Sequence, residues 1–461
     1  MISDNARLTL VPGIYFTRLG QQVYVRDVNA HFDYLFNASA ETVLKSVKNH
    51  CTFCSLMEQM CAEYLIRDFD MARKKVEGFL LDLASKRIVN IVEEDFVTRS
   101  EVSDREHIID RVDEYCRTHT RLWTACLEIT YRCNEKCRHC YLDDPAEKDC
   151  GKELSKEVWF RIIDELIDAG AMSILVTGGE PTLRSDFVEI CQHIVERGAL
   201  VDVYTNALKI SPSVFESLVR MKLNSVSFSL YGGTSDFHDY VTQVPGSFNA
   251  TLRNILAFKC AGIDVFVKTV PFNGHLEEYK LLHHLCKMLN LRLNITQQIV
   301  SGHSGRDNVG FMYSEDEFRE YVEYAIKQGD MRIIKTPSGG FLRRDLNGPI
   351  CKAGHTTLSI DPYGNVSCCN SYPVKLGNLL ETSVKSIWEN SPELMKIRSC
   401  EFKDVSEACL TCIYSGQCSY CPGAAYQENG VTLKPCKLTC RNAKIQYDVK
   451  KSMSDFFAVP L

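Results

Sequence analysis

Three cysteines, Cys133, Cys137 and Cys140, form a Cys-x-x-x-Cys-x-x-Cys run. Three thiolates on one loop can bind three irons of a cubane iron–sulfur cluster, which leaves the fourth iron without a protein ligand. An open coordination position is where a metal centre can bind its substrate. Structural zinc sites normally take four protein ligands. The spacing therefore favours an iron–sulfur cluster, with a zinc site as the alternative.

A second motif follows the next predicted strand. Thr177 ends that strand, and Gly178, Gly179 and Glu180 come directly after it. The binding crevice of an open α/β sheet lies beyond the carboxyl ends of its strands, so this turn and the cysteine run share one rim. Glycines let backbone groups approach a ligand closely, and a carboxylate can bind an ammonium group. A Gly-Gly pair alone usually marks only a turn, but its place one βα unit after the cysteines favours a ligand site.

The C-terminal region contains a third candidate. The pairs Cys409-x-x-Cys412 and Cys418-x-x-Cys421 are separated by five residues, which permits metal-ligand separation. A zinc ribbon is the structural alternative. The region holds more cysteines than one zinc site uses, and the others include Cys351, Cys368, Cys369, Cys436 and Cys440.

The composition of the whole chain indicates its cellular compartment and argues against some classes of partner. The 461 residues contain 22 cysteines, and the N-terminus lacks the basic-then-apolar pattern of a secretory signal. We therefore expect a cytoplasmic protein with reduced thiols, because the cytosol does not sustain structural disulfides. The net charge of −6 offers no broad positive field for nucleic acid. No apolar run approaches the ~18 residues of a transmembrane helix. Neither nucleic acid nor a membrane is an expected partner.

Strands alternate with amphipathic helices between about residues 126 and 310, and this alternation positions the first two motifs. Six βα repeats predict an α/β fold with a parallel sheet, because parallel strands need crossover helices. The pattern ends after six units, which favours a partial (βα)6 barrel over a closed eight-fold barrel. The predicted strands are 126–130, 173–177, 200–205, 225–230, 264–270 and 293–299.

Two smaller units flank this α/β core. The first predicts an α+β domain, with a hairpin over 14–26, a helix starting at Ser39 and a closing strand over 88–92. The cysteine-rich end has few long periodic segments and is expected to depend on bound metal for its stability. The predicted division is an N-terminal recognition domain (1–95), a linker (96–125), the α/β core (126–312), a bridging region (313–345) and a cysteine-rich domain (346–461).

In combination, the first two motifs resemble the radical S-adenosylmethionine (SAM) superfamily over residues 120–300. Further matching segments are Tyr204-Thr205-Asn206, Ser227 to Gly232, His238-Asp239 and Pro245 to Phe248. The resemblance implies that Cys133, Cys137 and Cys140 hold a [4Fe–4S] cluster whose open iron binds SAM through its amino group and carboxylate. It also implies that one-electron reduction cleaves SAM to methionine and a 5′-deoxyadenosyl radical, which abstracts a substrate hydrogen.

The same resemblance implies a set of SAM contacts and an electron donor. The donor is expected to be a flavodoxin- or ferredoxin-type protein. The expected contacts are Gly178, Gly179 and Glu180 to the methionyl amine, Asn206 and Ser229 to the carboxylate or ribose, and His139, at a position that is usually aromatic in the family, to the adenine.

The C-terminal region resembles the SPASM extension of radical SAM enzymes. The matching pattern is Cys351, twelve residues, Gly364, four residues and Cys369, followed by the later cysteines; Cys418 and Cys421 are separated by two residues where the family usually has three. The resemblance implies two auxiliary [4Fe–4S] clusters and three clusters in all. One cluster would use Cys351, Cys369 and Cys421, and the other Cys409, Cys412 and Cys418; Cys436 or Cys440 would complete the second, and either the remaining cysteine completes the first or one iron stays open.

Residues 10–95 resemble the peptide-recognition domain of ribosomal-peptide maturases, which has the winged-helix-like fold of the small pyrroloquinoline-quinone chaperone. The resemblance depends on residues 24–27 and 35–37. An exposed edge of the hairpin over 14–26 can accept an extended peptide as an added strand. The alternative is a small domain that only packs on the α/β core.

Together these features predict a maturase that binds the leader of a ribosomally made precursor peptide and cross-links its core by radical chemistry. Thioether formation is favoured over carbon–carbon linkage because auxiliary clusters can coordinate and oxidise a cysteine adduct. One alternative is formylglycine formation on a protein, which the N-terminal domain disfavours. A zinc-binding interaction protein without catalysis is the other.

Overall fold

The computed structural model describes residues 2–64, 66, 68–92, 105–142, 152–270, 272–296, 299, 301–302, 307–335, 341, 343–372 and 374–460. Residues 96–104 of the predicted linker, two residues of the last predicted strand (297 and 298) and part of the predicted bridging region lie outside these ranges.

The described chain alternates between short strands and helices along most of its length. The strands are β1 (Arg7–Leu10), β2 (Ile14–Leu19), β3 (Gln22–Asp27), β4 (Phe32–Asn37), β5 (Cys51–Thr52), β6 (Val89–Val92), β7 (Thr124–Glu128), β8 (Ser173–Thr177), β9 (Leu200–Thr205), β10 (Ser225–Ser229), β11 (Val265–Thr269), β12 (Arg292–Ile295), β13 (Ile333–Lys335), β14 (Thr357–Ile360), β15 (Asn365–Ser367), β16 (Gly377–Asn378) and β17 (Ala458–Pro460). The helices are α1 (Ala40–Lys48), α2 (Phe53–Tyr64), α3 (Phe69–Ser85), α4 (Arg105–Thr118), α5 (Lys156–Asp168), α6 (Phe187–Glu196), α7 (Pro212–Met221), α8 (Ser235–Thr242), α9 (Ser247–Cys260), α10 (Leu276–Met288), α11 (Glu315–Lys327), α12 (Val384–Asn390), α13 (Pro392–Arg398), α14 (Glu407–Leu410), α15 (Pro422–Asn429) and α16 (Lys437–Phe457).

The central sheet confirms the predicted α/β class. Strands β7 to β12 lie side by side in chain order and every neighbouring pair is parallel. Helices α5 to α10 connect them, as crossovers between parallel strands must. The six βα units therefore form the partial barrel that the alternating pattern predicts.

The cysteine-rich region continues this sheet. Strand β14 pairs in parallel with β7, with Thr357 opposite Thr124 and Ile360 opposite Leu127. Strands β15 and β16 add to β14 in antiparallel order. The sheet thus joins the α/β core and the C-terminal region, and the end of β7 lies beside both.

The two faces of the central strands differ in polarity. Side chains alternate between faces along a strand, and Leu127, Val176 and Val203 are fully buried against the helices. The opposite face lines a cavity of about 430 Å³, with Thr124, Ser173, Asp202, Tyr204, Ser227, Lys268 and Asn294 among its residues, and Tyr24 and Arg26 of the N-terminal domain also line it. Many polar side chains therefore line this cavity between the strands and the N-terminal domain.

The N-terminal domain has its own core. Strands β2, β3 and β4 form one antiparallel sheet, β5, β1 and β6 form a second, and the predicted hairpin, first helix and closing strand are all present. Apolar residues of both sheets and of helices α1 to α3 make a separate buried cluster. Arg26 connects this domain to the α/β core, because it pairs with buried Asp33 at 3.0 Å and its Nε donates to Asn224 at 3.0 Å.

The described part of the predicted linker is a helix. Helix α4 packs against β4, with Val112 and Cys116 buried and Ile108 and Tyr115 beside them. Their spacing of three and four residues is the helical pattern, although the polar composition of the segment concealed it.

Three of the predicted core strands, 225–230, 264–270 and 293–299, are shorter in the structure, as β10, β11 and β12. Strand β12 ends at Ile295, opposite Thr269, where its neighbour β11 also ends. Because β12 is an edge strand with one partner, its pairing cannot extend beyond that partner.

In the C-terminal region, α16 packs on α11 through Val449 and Val322. None of the described helices is long and apolar enough to cross a membrane.

The shared sheet predicts that β14 contributes to stability. Leu358 in β14 is 2% exposed, whereas Leu380 is 61% exposed. Leu358→Ala should therefore lower the free energy of unfolding by about 2–5 kcal/mol, because it leaves a cavity. Leu380→Ala, the matched control, should change it by less than about 0.5 kcal/mol. Equal thermal unfolding midpoints for the two variants would contradict the integration of β14 into the sheet.

Candidate iron–sulfur and cofactor site

The cysteine loop, residues 130–140, leaves the carboxyl end of β7 and is fixed by the turn after β8. The backbone N–H of Gly179 donates to the carbonyl of Thr130 at 2.8 Å, and that of Glu180 donates to Arg132 at 2.8 Å. The two predicted motifs therefore meet directly, backbone to backbone.

The two glycines are required by this contact. A Cβ on Gly178 would lie 2.2 Å from the Thr130 carbonyl oxygen, and one on Gly179 would lie 2.5 Å from that of Arg132. Gly178 also has φ +139°, which L side chains rarely adopt. We expected the glycines to make room for a ligand; the structure shows that they make room for the cysteine loop, and their contact with SAM stays a prediction.

Glu180 is completely buried and joins the end of β8 to the end of β9. Its carboxylate accepts from Thr182 N–H (3.1 Å), Thr182 Oγ1 (2.6 Å), Thr205 Oγ1 (2.8 Å) and Asn206 N–H (2.8 Å). Burial raises the pKa of Glu180, while these hydrogen bonds oppose that rise. Four donors occupy most of the acceptor positions of a carboxylate. The expected contact between Glu180 and the methionyl amine also stays a prediction.

Asn206 reaches from β9 to the cysteine loop. Its Nδ2 donates to Asn134 Oδ1 at 2.8 Å and lies within hydrogen-bond reach of Cys133 Sγ at 3.7 Å. Hydrogen bonds to ligating sulfurs help set the potential of an iron–sulfur cluster. Asn206 is thus placed beside the predicted ligand, where it orients Cys133.

The opposite side of the loop is fixed by residues that sequence reasoning missed. The N–H groups of Lys136 and Arg138 donate to the carbonyls of Thr242 (3.1 Å) and Val241 (3.0 Å) at the end of α8. Buried Asn308 donates through Nδ2 to the carbonyls of His139 (3.3 Å) and Cys140 (3.2 Å). Asn308 carries no sequence signal, because it follows the last recognisable βα unit.

Aromatic rings line the side of the loop that faces β10. The His139 ring packs edge-on against Tyr231 at 4.7 Å and against Phe272 at 5.3 Å. The Tyr231 hydroxyl lies 4.0 Å from Cys137 Sγ and is hydrogen-bonded to Ser229. His139 and Ser229, two of the predicted SAM contacts, therefore both contact Tyr231.

His238 and Asp239, which match the superfamily, position the segments around Tyr231. The Tyr231 N–H donates to His238 Nδ1 at 3.1 Å, and burial lowers the pKa of His238 to about 4. The Asp239 carboxylate accepts from the N–H of Phe248 at 2.9 Å and from Ser247 Oγ at 2.9 Å. Both residues therefore position backbone segments around the site.

Glu135 is a further residue that sequence reasoning missed. It lies inside the cysteine run, is 7% exposed, and its Oε1 has no hydrogen-bond partner among the described residues. Burial raises the pKa of Glu135 to about 8, and the carboxylates of Glu180 and Asp239 add to that effect. A buried, unpaired carboxylate oxygen beside the three thiols fits a positively charged ligand such as SAM.

The charges of the three cysteines raise one another's pKa, as expected for neighbouring thiols. The pKa of Cys133 is raised to about 12, mainly by burial and also by the charges of Glu180, Glu135 and Cys140. Burial also raises the pKa of Cys137, followed by Glu135, Cys140 and Cys133. Only thiolates bind iron, so metal binding at this loop must release protons. No three His, Cys, Asp or Glu side chains in the described ranges are grouped to hold a single ion, whereas a cubane binds each thiolate to a separate iron.

The later cysteines form two groups. The pKa of Cys369 is raised to about 12, mainly by burial and also by Cys351 and Cys421, as expected for three neighbouring thiols. Burial raises the pKa of Cys440 to about 11, followed by the influence of four cysteines of the second group: Cys418, Cys409, Cys436 and Cys412. The structure thus brings Cys440 to the second group, and Cys436 lies buried one helical turn before it.

A hydrogen-bonded network links the first cysteine loop to the first of these groups. Glu128 at the end of β7 is 3% exposed and accepts from Tyr131 at 3.1 Å and from Tyr141. Asn370, next to Cys369, donates to the Tyr141 hydroxyl at 3.3 Å. Burial raises the pKa of Glu128 to about 7. This carboxylate therefore lies between the two cysteine regions.

Comparison with known families identifies the two halves of the site. Residues 127–286 match the radical SAM superfamily, and residues 351–413 match SPASM, an iron–sulfur cluster-binding domain. The chain is a radical SAM enzyme with a SPASM domain. The radical SAM domain implies a [4Fe–4S] cluster and SAM, and the SPASM domain implies binding of iron–sulfur clusters beyond the first.

Curated relatives match about two thirds of this radical SAM enzyme. An AdoMet-dependent heme synthase of Methanosarcina barkeri is 26% identical over 328 residues, which cover 66% of the chain and 92% of that protein. The antilisterial bacteriocin subtilosin biosynthesis protein AlbA of Bacillus subtilis is 29% identical over 302 residues, which cover 64% of the chain and 66% of that protein.

A solved structure matches the fold over nearly the full length. Streptococcus suis SuiB bound to S-adenosylmethionine has a TM-score of 0.59 and 18% identity, and covers 94% of the chain and 99% of SuiB. SuiB has also been solved bound to its precursor peptide SuiA, with the same coverage. This likeness extends the shared fold to the N-terminal domain of the radical SAM enzyme.

The glycine contact yields a test of loop placement. Gly179→Ala should displace the radical SAM cysteine loop, because its Cβ would stand within 2.6 Å of two carbonyl oxygens. We expect loss of the iron held by that loop, measured as iron and sulfide per chain after anaerobic purification. Gly78→Ala is the matched control, since its Cβ meets open space. Normal iron content in Gly179→Ala would contradict the packing role.

Glu128 yields a pH-dependent test. Its folded-state pKa of about 7 exceeds the ordinary value of 4.5, so the folded chain keeps a proton that the unfolded chain loses between those values. Below pH 4.5 Glu128 is protonated in both states, and its contribution to the free energy of unfolding is fully present. As the pH rises from 4.5 to about 7, the free energy of unfolding falls by on the order of 3 kcal/mol. Glu128→Gln should therefore raise the thermal unfolding midpoint at pH 8 and change it little at pH 5. Exposed Glu381→Gln should show no such difference, and identical pH profiles for wild type and Glu128→Gln would refute the buried-acid assignment.

Proposed function

We propose that this radical SAM enzyme is a peptide maturase, which abstracts hydrogen from a ribosomally made precursor peptide and forms a cross-link within it. The observation that carries the proposal is the presence of three cysteine groups in a chain that also has a separate N-terminal domain. The described geometry connects two of these groups, the radical SAM loop and the Cys351 group, through β7 and Glu128.

The relatives support a peptide substrate. AlbA is named for subtilosin biosynthesis, and SuiB has been crystallised with its precursor peptide. The heme synthase relative leaves about a third of this chain unmatched, whereas the likeness to SuiB covers 94% of it. An architecture that includes the N-terminal domain favours a peptide, and residues 1–95 are proposed to bind its leader.

The proposed cluster ligands follow the groups that the structure brings together. Cys133, Cys137 and Cys140 would hold the cluster that binds SAM. Cys409, Cys412, Cys418 and Cys440 would hold a second cluster, since the thiol of Cys440 interacts with the other three. Cys351, Cys369 and Cys421 would hold three irons of a third cluster.

When bound, the first cluster and SAM supply a reductive cleavage that generates a hydrogen-abstracting radical, with the electron provided by a flavodoxin- or ferredoxin-type donor. The chain's own residues orient these groups. Asn206 positions Cys133, and the unpaired oxygen of buried Glu135 is placed to contact the positive charge of SAM. The aromatic wall of Tyr231 and Phe272 excludes water from the side of the loop beside His139.

A thioether is the favoured product because auxiliary clusters can coordinate and oxidise a cysteine adduct. Asn370, next to Cys369, is connected through Tyr141 to Glu128 at the end of β7. A substrate cysteine near the radical SAM loop would thus also come close to the Cys351 group. Glu128, held between the two cysteine regions, is placed to exchange a proton with such a substrate.

Anaerobic purification tests the proposal directly. We expect a brown protein with about twelve irons and matching sulfide, as three [4Fe–4S] clusters require. Cys137→Ala should abolish SAM cleavage, measured as 5′-deoxyadenosine released under reduction. Cys412→Ala should retain part of that cleavage but lose modification of the precursor peptide, measured as its mass shift.

The control and the contrary outcomes separate the alternatives. Cys260→Ala removes an exposed cysteine that belongs to none of the three groups, so iron content and cleavage should stay unchanged. A colourless zinc protein would reject the enzyme mechanism in favour of a zinc-binding protein. Full peptide modification by Cys412→Ala would remove the proposed role of the auxiliary region.

A further inference from the structure

A pocket of about 350 Å³ lies where the radical SAM core meets the C-terminal region. Ile295 and Thr296, at the carboxyl end of β12, line one side, and the loop before α15 and helix α16 line the other. The cysteine loop follows the carboxyl end of β7 in the same parallel sheet. The pocket, called here the rim pocket, therefore lies on the edge of the sheet where ligands of α/β proteins bind.

The rim pocket also borders the second cysteine group. Gln417 and Ser419, on either side of Cys418, both line it. Thr439, which also lines it, directly precedes Cys440. Among the described residues, none that lines the pocket belongs to the radical SAM cysteine loop or to the expected SAM contacts. The pocket is therefore a separate site from the one expected to hold SAM.

Two carboxamide side chains of the rim pocket have a fixed orientation. Lys450 Nζ donates to Gln417 Oε1 at 2.6 Å. Arg441 donates to Asn442 Oδ1 through Nε at 3.1 Å and through Nη2 at 3.0 Å. Because lysine and arginine side chains only donate, both interactions must go to the carboxamide oxygen. The amide nitrogens, Gln417 Nε2 and Asn442 Nδ2, are left as donors without a partner in the described part of the chain.

Gln446 is a buried carboxamide that makes no hydrogen bond within the protein. It lines the rim pocket and is 8% exposed, and its side-chain oxygen and nitrogen have no hydrogen-bond partner among the described residues. Buried polar side chains nearly always have a partner, because leaving one unpaired costs stability. A ligand that offers both a donor and an acceptor would satisfy this side chain.

The polar side chains of α16 form a stripe along one face of the helix. Thr439, Asn442 and Gln446 follow one another at intervals of three and four residues, which are neighbours on a helix surface. Ala443 also lines the pocket, and its small side chain leaves the stripe uncovered. With a rise of about 1.5 Å per residue, the stripe from Thr439 to Gln446 is about 10 Å long. About three residues of an extended peptide have the same length.

The chemistry of the lining favours a neutral polypeptide main chain. No charged side chain is among the described lining residues, so a carboxylate or a phosphate would lose its hydration without gaining an opposite charge. No aromatic ring among them is available to stack on a nucleobase. A peptide main chain alternates carbonyl acceptors with N–H donors. These groups complement the two fixed amide donors and the donor–acceptor pair of Gln446.

We infer that the rim pocket binds the main chain of a short, uncharged segment of the substrate peptide, about three residues long, beside the second cysteine group. The inference rests on the proposed function, because it names where the core of the precursor peptide is held and by which chemistry. Recognition through the main chain accepts different side chains in the bound segment. It also holds that segment at the edge of the sheet that carries the radical SAM cysteine loop.

Photo-crosslinking tests the location and the chemistry of the site. The probe is acetyl-Ala-photoleucine-Ala N-methylamide, an uncharged main chain whose diazirine side chain forms cross-links on irradiation. The comparison probes are the same peptide with Asp at both Ala positions, and azidoadenosine. Each probe is irradiated with the anaerobic, cluster-loaded chain in excess SAM, and cross-links are located by mass spectrometry. We expect the uncharged peptide to label residues 417–419 and 439–446, and the other probes to label them at least about fivefold less.

Removal of the carboxamides tests the contacts. The variant N442L/Q446M keeps the size of both side chains but loses their hydrogen bonds to the probe. The concentration of uncharged peptide that gives half-maximal labelling should therefore rise by about fivefold or more. The matched control Q21M/N390L makes the same exchanges at exposed positions outside the pocket, and should change that concentration by less than about twofold.

Gln446→Met alone separates ligand binding from a structural role. Because Gln446 has no hydrogen-bond partner in the described chain, an apolar side chain of similar size should leave the thermal unfolding midpoint equal or raise it. Labelling by the uncharged peptide should weaken in the same variant. A lower midpoint with unchanged labelling would show a structural role and overturn the inference.

Three further outcomes would overturn it. These are no labelling of the pocket by the uncharged peptide, equal labelling by the Asp peptide or azidoadenosine, and equal weakening in both double variants. Failure of the proposed function would appear separately, as a protein that lacks iron or does not cleave SAM while the probe still labels the pocket. Labelling confined to the N-terminal domain would leave the maturase proposal in place and reject only the rim pocket.

Discussion

The site depends on one close backbone contact, between the cysteine loop after β7 and the turn after β8. No side chain fits between these two segments, because a Cβ on Gly178 or Gly179 would overlap the carbonyls of Thr130 or Arg132. The buried carboxylate of Glu180 then fixes the same turn to β9 through Thr205 and Asn206. The carboxyl ends of three neighbouring strands are thus held as one unit, and the three cysteines occupy a defined place above it.

The radical SAM core and the C-terminal region share one sheet. Strand β14 of the C-terminal region pairs with β7, which also carries the radical SAM loop at its end. Glu128 and Tyr141 therefore connect the two regions by hydrogen bonds. The SPASM region is thus held beside the radical SAM loop through both backbone and side-chain contacts.

Much of the fold was predictable from the sequence. The alternation of strands and amphipathic helices predicted six parallel strands in chain order, and the strands over 173–177 and 200–205 match the structure residue for residue. The first cysteine run and the start of the C-terminal cysteine pattern lie in regions that match the radical SAM and SPASM families. Helix α4 was concealed by polar composition, and the pairing of β14 with β7 joins segments more than 200 residues apart, which no local pattern reveals.

Within the site, the sequence identified several important residues but did not predict their contacts. Gly178, Gly179 and Glu180 were expected to face a ligand, and the structure uses them first to bind the cysteine loop and β9. Glu135 was missed because a glutamate between cysteines is normally expected to be exposed to solvent. Its burial depends on contacts of the loop with α8 and the end of β9, which no local pattern reveals.

The central claim is that the loop of Cys133, Cys137 and Cys140 holds a cluster whose open iron binds SAM. Electron–nuclear double resonance of the reduced protein, with SAM labelled with ¹⁵N at the methionyl amine, tests it most directly. The account predicts a ¹⁵N coupling from a directly bound nitrogen, present in Cys412→Ala and absent in Cys137→Ala. A reduced cluster signal that does not change when labelled SAM is added would contradict it.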